Sequence, residues 1–479
     1  MATKVDEKIP KSLLTIAIVL VLGVIAPMLD GTMVNIALNE FAKSFHASLD
    51  HIQWIVTGYV LATGIAVPFS GWLIQRFDGK KVYIAAQIIF LVGSVTSGLS
   101  WNLASMIVFR LVQGFSAGLI LPLLTTLLMQ AAQAAGQDKL GRLMSIVGLP
   151  IVLGPILGPV IGGVLVDYLS WHWIFFVNVP VVFITLYFVF TKLPSFPPSN
   201  QQAKLDWFGI LVLGGISVSF IYGITAAARM AGFNNTKTIT LVIVGALLTI
   251  VYVIYALKNE EKVIMPLNLF RFRSFSASFC GLFLAGIAAN GPMLLLPLLF
   301  QNVRNDSIIV AALSLIPQGI GMLLARPLIG IMIDRIGAKI VVLISIVISL
   351  AGTLPFVWID QNTGYWIIAI ILFIRGIGVG GVTLPLMSDA YTGLSKTEIP
   401  QASIATRIVQ NIGGAFGSAV LATIVASQLD LAKMDAAHLA SAYQSGFLTA
   451  SILMVVLIIP SLFLTNKIAS KVASSLKVD

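Results

Sequence analysis

Charge is what this chain has least of. Charged side chains are 10% of its 479 residues, while 58% are hydrophobic; a soluble domain carries about a quarter charged. No soluble fold has an interior that could hide so much apolar surface, so that surface faces lipid. Cysteine is nearly absent. The one thiol, Cys280, excludes a disulfide framework within the chain and a cysteine-ligated metal site. The four histidines (His46, His51, His172 and His438) fall in loops or at the ends of apolar runs, and no HExxH is present, so no metal site is expected. No GxxxxGK[ST] is present either, which excludes a P-loop as the energy source. The net charge of +10 is spread over short loops without interleaved aromatics, so nucleic acid is not an expected partner. No loop is long enough for a soluble domain, which weighs against a scaffold or sensor.

What is present is apolar length. Fourteen runs, from 12–33 to 443–465, reach the roughly 20 residues that a spanning helix needs. They are continuous rather than alternating in polarity, which excludes a membrane barrel. Only Lys43, Arg229, Lys237, Arg304 and Lys433 fall in loops on one side, and Arg110, Arg326, Arg375 and Arg407 lie inside apolar runs. The other 20 of 29 Lys and Arg residues crowd the opposite side. That asymmetry predicts both termini in the cytoplasm. The expected architecture is all-α and integral to the membrane, in three parts. Residues 1–191 form a six-helix bundle, 192–274 hold linkers and an inserted two-helix hairpin, and 275–479 form a second six-helix bundle. GWLIQRFDGKK at Gly71–Lys81 returns as GIMIDRIGAK at Gly330–Lys339, and RLVQGFSAG from Arg110 is echoed by RGIGVGG from Arg375. Repeated halves are a common transporter plan, with cargo held between them near the midplane.

Asp30 is the only acid well inside an apolar run. Such a group costs several kcal/mol. Burial disfavours a carboxylate's charged form and a neighbouring cation favours it. A carboxyl balanced between the two takes and releases a proton as its surroundings change, although a fixed structural ion pair has the same sequence signature. Arg110 is the expected partner, since the two residues fall at similar depth by helical rise. On the helix of Arg110, Gln113 and Gly114 share its face. In GLPIVLGPILGPVIGG, the residues Gly154, Gly158 and Gly162 form one flat face, joined by Gly163 and flanked by Pro155 and Pro159. Small residues admit close helix contact and prolines bend helices, so a hinge or seal between the halves is expected there. Gly71, Arg76, Asp78 and Lys80, with Asp334 and Arg335 in the later copy, are expected to latch helix ends at the cytoplasmic side. Asn35, Gln53, Trp54, Tyr59, Gln113, Asn290, Gln318, Gln410 and Asn411 are candidates to line a substrate cavity.

Together these motifs resemble the major facilitator superfamily, and within it the drug:proton antiporters with fourteen spans. LDGTMVNIAL at Leu29–Leu38 is similar to the first-helix signature of that family. Arg110, Gln113 and Gly114 match its fourth-helix signature, and the Gly-Pro repeat matches its fifth-helix motif. WHWIFFVNVP at Trp171–Pro180 is typical of the same branch. One departure is Gln75, where the family loop motif expects an acid; Asp78 stands nearby. The resemblance implies a secondary active transporter, not an enzyme, in a bacterial plasma membrane. It implies a monomer that needs no cofactor, because a proton gradient drives it. It also implies alternation between two halves, and export of small lipophilic compounds, often cationic. A dedicated exporter of one metabolite or lipid-like substrate is the alternative.

Overall fold

The structure, a computed structural model, describes residues 10–47, 49–52, 54–136, 143, 149–198, 200–202, 204–229, 233–259, 263–395, 398–428 and 436–465. Nearly all of these are helical. Thirteen helices among the described residues are long and apolar enough to cross a membrane. The apolar helix Leu149–Tyr168, 20 residues long, stands between the fourth and the sixth of the series and completes fourteen.

In chain order the first half comprises α1 (Lys11–Met33), α2 (Trp54–Arg76), α3 (Gly79–Gly98), α4 (Leu103–Ala134), α5 (Leu149–Tyr168) and α6 (Asn178–Lys192). The inserted pair is α7 (Trp207–Arg229) and α8 (Thr236–Lys258). The later half comprises α9 (Arg273–Val303), α10 (Ile316–Ile336), α11 (Ala338–Thr353), α12 (Tyr365–Ala390), α13 (Glu398–Gln428) and α14 (Ala436–Val456). α7 lies against α2 of the first half and α13 of the later one, while α8 keeps most of its apolar side chains on the outside. Only one of the pair is therefore part of the packed bundle.

Close backbone contacts fix how the two halves correspond. Gly93 of α3 abuts Gln113 of α4, and Gly352 of α11 abuts Arg375 of α12. Gly114 abuts the Tyr59 carbonyl of α2, and Gly376 abuts the Gln318 carbonyl of α10. Gln318 thus stands where Tyr59 does, and Arg375 stands where Gln113 does. The sequence echo had set Arg375 against Arg110. The structure moves it one helical turn, because glycines that let two backbones touch fix the register more strictly than a matching Arg. In the same way Gly154 faces Met28 of α1, and Gly413 faces Phe283 of α9. Counting two residues on, Ala285 occupies the place of Asp30.

The buried core crosses from one half to the other at the end that carries Arg76, Lys80 and Arg335. There Leu124, Leu127 and Leu128 of α4 share a cluster with Tyr391, Leu394, Ile399, Ala402 and Ala405. Gly71 of α2 sits directly against Ile404 of α13, and the Gln133 amide donates to the Leu394 carbonyl at 3.4 Å. At the opposite end each half keeps its own cluster, around Phe41 and Phe175 in one and Phe300 and Phe447 in the other; α5 also touches α10 and the short helix Ile308–Ser314 of the later half. The bundle is closed at its basic end.

Candidate functional site

The site grows from a defect in α1. Pro27 lies inside that helix and has no N–H, so the Gly23 carbonyl one turn back loses its donor. In lipid such a carbonyl needs another partner, and the Gln87 amide of α3 supplies it at 2.9 Å. One turn beyond Pro27, Asp30 points into the first half with no exposed surface. Past Met33 the chain tightens into a 3-10 turn, Val34–Ala37. The acid therefore lies between a proline and a change of helix type, both places where helices bend.

Three donors converge on the Asp30 carboxylate. Arg110 Nη1 of α4 reaches Oδ2 at 2.5 Å. Gln113 Nε2 donates to Oδ1 at 3.1 Å, and Asn178 Nδ2 at the start of α6 donates to the same oxygen at 3.2 Å. The donors are themselves held. Arg110 Nη1 also donates to Gln113 Oε1 at 2.7 Å, its Nε donates to the Ile55 carbonyl at 3.4 Å, and its guanidinium lies 4.0 Å from the Tyr59 ring centroid. The Tyr59 hydroxyl donates to the Pro27 carbonyl at 3.3 Å. Asn178 donates to Ser94 Oγ at 3.0 Å, and Ser94 donates to the Phe175 carbonyl at 2.9 Å. One carboxylate thus ties α1, α2, α3, α4 and α6 together. Adding a proton would remove the negative charge that faces Arg110 and turn one acceptor site into a donor that needs an acceptor of its own.

Other candidates fall elsewhere. Gln318 accepts from Arg375 Nη1 at 2.6 Å. Gln410 accepts from Arg407 Nη1 at 3.0 Å, beside a narrow cavity between α4 and the ends of α12 and α13. Asn35 is exposed and bonds only its own helix, to the Gly31 carbonyl at 3.5 Å. Trp54 is exposed too, with its ring 5.7 Å from Tyr222 of the inserted pair. Asn411 is half-buried on α13. Gln53 and the side chain of Asn290 lie outside the described residues. The polar candidates do not gather in one chamber; they divide among the Asp30 network, the Arg375 pair and the seam.

The glycine face of α5 meets α1, not the other half, so it is not the contact between halves that the sequence led one to expect. Gly154, Gly158 and Gly162 abut Met28, Thr32 and Met33, and Gly163 faces open space. Thr32 Oγ1 donates to the Gly154 carbonyl at 2.9 Å. Close approach is what the small residues provide; the side chains of Pro155 and Pro159 lie outside the described residues. At the basic end, Asp78 caps α3 by accepting from the Lys81 N–H at 3.1 Å and also accepts from the Ser195 hydroxyl. Lys80 Nζ donates to the Phe190 and Leu193 carbonyls at 3.0 and 2.7 Å. Lys339, its repeat counterpart, donates to the Leu462 carbonyl at 2.8 Å. Each lysine thus satisfies carbonyls at the close of its own half's last span, where a cation also suits the helix dipole. The Arg76 guanidinium lies 5.9 Å from the Trp72 and Phe77 rings. Asp334 and Arg335 close α10.

Asn178 and Ser94 were missed in the sequence because each is an ordinary polar residue at a helix end or within a span. The signal was available for Asn178, which lies in the WHWIFFVNVP stretch. No group of three or more potential metal ligands occurs among the described residues.

A sequence model of the major facilitator superfamily matches residues 20–418 and 279–476. The chain is 29% identical over 426 residues to the multidrug resistance protein B homolog of Mycobacterium tuberculosis (strain ATCC 25618 / H37Rv), covering 88% of this chain and 78% of that one. It is 28% identical over 415 residues to the multidrug export protein EmrB of Haemophilus influenzae, covering 85% of this chain and 80% of the relative. Among solved structures, the proton:xylose symporter XylE superposes with a TM-score of 0.64 at 15% identity, over 96% of this chain and 99% of that one.

Proposed function

As the chain belongs to the major facilitator superfamily, we propose that it is a proton-coupled antiporter that exports small lipophilic compounds by alternating access between its two halves. It is a multi-pass membrane transporter and not an enzyme. The export of several compounds is suggested by relatives named for multidrug resistance and multidrug export. The basic end faces the cytoplasm in this reading, with both termini on that side, and the membrane is a bacterial plasma membrane. The protein works as a monomer without a cofactor; its energy comes from protons.

The observation that carries the coupling is the fully buried Asp30 carboxylate under three donors. Ionised, it holds α1 against α4 and α6 and neutralises Arg110. Protonated, it loses the charge that strengthens its bond to Arg110, and the hold of α4 on α1 beside Pro27 weakens. Proton occupancy then biases which arrangement of the halves is favoured, as alternating exchange of protons for cargo requires. A buried ionisable group inside a span marks an ion or substrate path.

The test is efflux from everted membrane vesicles carrying Asp30→Asn. Proton-driven transport is expected to vanish while cargo binding is partly retained. Full proton-driven efflux by this variant would remove Asp30 from the coupling role.

A further inference from the structure

The later half carries three arginines inside its spans: Arg326 on α10, Arg375 on α12 and Arg407 on α13. Arg326 and Arg375 are almost fully buried. In the first half the buried guanidinium has a carboxylate. In the later half none of the three is in an ion pair among the described residues, and Ala285 stands where Asp30 does. Two acids of the same half are engaged elsewhere. Asp389 accepts from the Thr465 N–H and hydroxyl, and Glu398 accepts from Ser395. Arg375 is left with Nε and Nη2 unbonded.

Arg407 opens onto a cavity. That cavity lies on the seam, with Pro122 and Thr125 of α4 on one wall and Tyr391, Thr406, Arg407 and Gln410 on the other. Arg407 has one hydrogen-bonded partner, the neutral Gln410. The Tyr391 and Thr406 hydroxyls are paired with each other at 3.3 Å. The cavity thus offers a cation, hydroxyls and an amide, and no acid lines it among the described residues. A lipophilic cation entering it would meet repulsion with nothing to offset it. An uncompensated charge in a low-dielectric interior is costly, and a carboxylate brought to Arg407 offsets that cost through a charge-assisted hydrogen bond.

We propose that the seam cavity at Arg407 is the subsite for the acidic group of cargo, so that the preferred substrates are lipophilic organic acids rather than lipophilic cations. This rests on the transport reading above and names the chemistry of its cargo. As it stands the cavity is narrow, with room for about one water. The apolar body of such a ligand is admitted when the halves part, and the guanidinium stays as the fixed anchor for the carboxylate.

The experiment uses the full chain, purified and reconstituted, with two probes on one naphthalene body, one bearing a carboxylate and the other a trimethylammonium. Binding is read by displacement of a fluorescent reporter, and chloride alone is the third ligand. The carboxylate probe is expected to bind at least tenfold more tightly than the ammonium probe. Arg407→Gln is expected to remove that preference and Arg407→Lys to restore part of it. The charge preference of the unaltered protein is itself decisive, so a variant that does not fold leaves the proposal exposed to refutation. Equal or tighter binding of the ammonium probe would overturn it, as would undiminished carboxylate binding by folded Arg407→Gln, or chloride binding as tight as the carboxylate. If the carboxylate binds at Arg407 but neither probe moves under any imposed gradient, the subsite stands and the transport reading falls.

Discussion

At the scale of the residue, the centre of the molecule is a carboxylate whose hold on three donors is strengthened by a charge that a proton would remove. Asn178 offers the cleanest probe of that statement, because it touches Asp30 Oδ1 without carrying charge. Asn178→Leu removes one of the three donors and leaves Ser94 Oγ without its own donor. The expected cost is about 1–3 kcal/mol of stability, read as a lower melting temperature in detergent. The pH profile of transport should move as well. A profile unchanged beside a lowered melting temperature would confine Asn178 to a structural part. Asp30 and Arg110 were legible in the sequence because charge inside an apolar run has no routine explanation. Asn178 was not, because an asparagine at the start of a span has many. Its place became visible only when α6 was set beside α1.

At the scale of the element, the glycines of α5 make a prediction that separates position from composition. A Cβ at Gly158 would fall on the Thr32 side chain, whereas a Cβ at Gly163 would meet nothing within 4 Å. Gly158→Val is therefore expected to force α5 off α1 and lower expression and melting temperature sharply, while Gly163→Ala is expected to be silent. Equal effects of the two would show that the glycines serve flexibility rather than contact. The repeat makes a second prediction. Lys80 and Lys339 both bond carbonyls that close the last span of their own half, so each change to Ala should cost about 0.3–1 kcal/mol, with similar thermal shifts for the two variants. The helices themselves were readable from apolar length, and the halves from the returning loop motif. The α4–α12 register was not, because the eye aligns Arg with Arg, whereas the packing aligns the backbones that glycines let touch.

At the scale of the whole molecule, the two halves meet in a continuous buried core at the basic end, while each keeps a separate core at the other. Alternation requires the shared core to part. Cysteines placed at Gln133 and Leu394, where the Gln133 side-chain amide now reaches the Leu394 backbone carbonyl, are joined by a reducible bifunctional thiol reagent in a Cys280→Ser background; the crosslink is expected to abolish transport and its reduction to restore it. Transport at full rate in the crosslinked protein would show that this end does not open. No pattern in the sequence indicated which end is closed, since closure is a property of two halves and not of any one segment.

The central claim is exchange of protons for cargo, and one measurement reaches it directly. Purified protein in vesicles is loaded with a lipophilic probe, a pH step is imposed, and probe and proton fluxes are recorded together. The account predicts that probe flux follows the sign of the pH step, that protons move against it in fixed proportion, and that both currents vanish in Asp30→Asn. Probe flux of equal size with the step imposed, reversed or absent would contradict it.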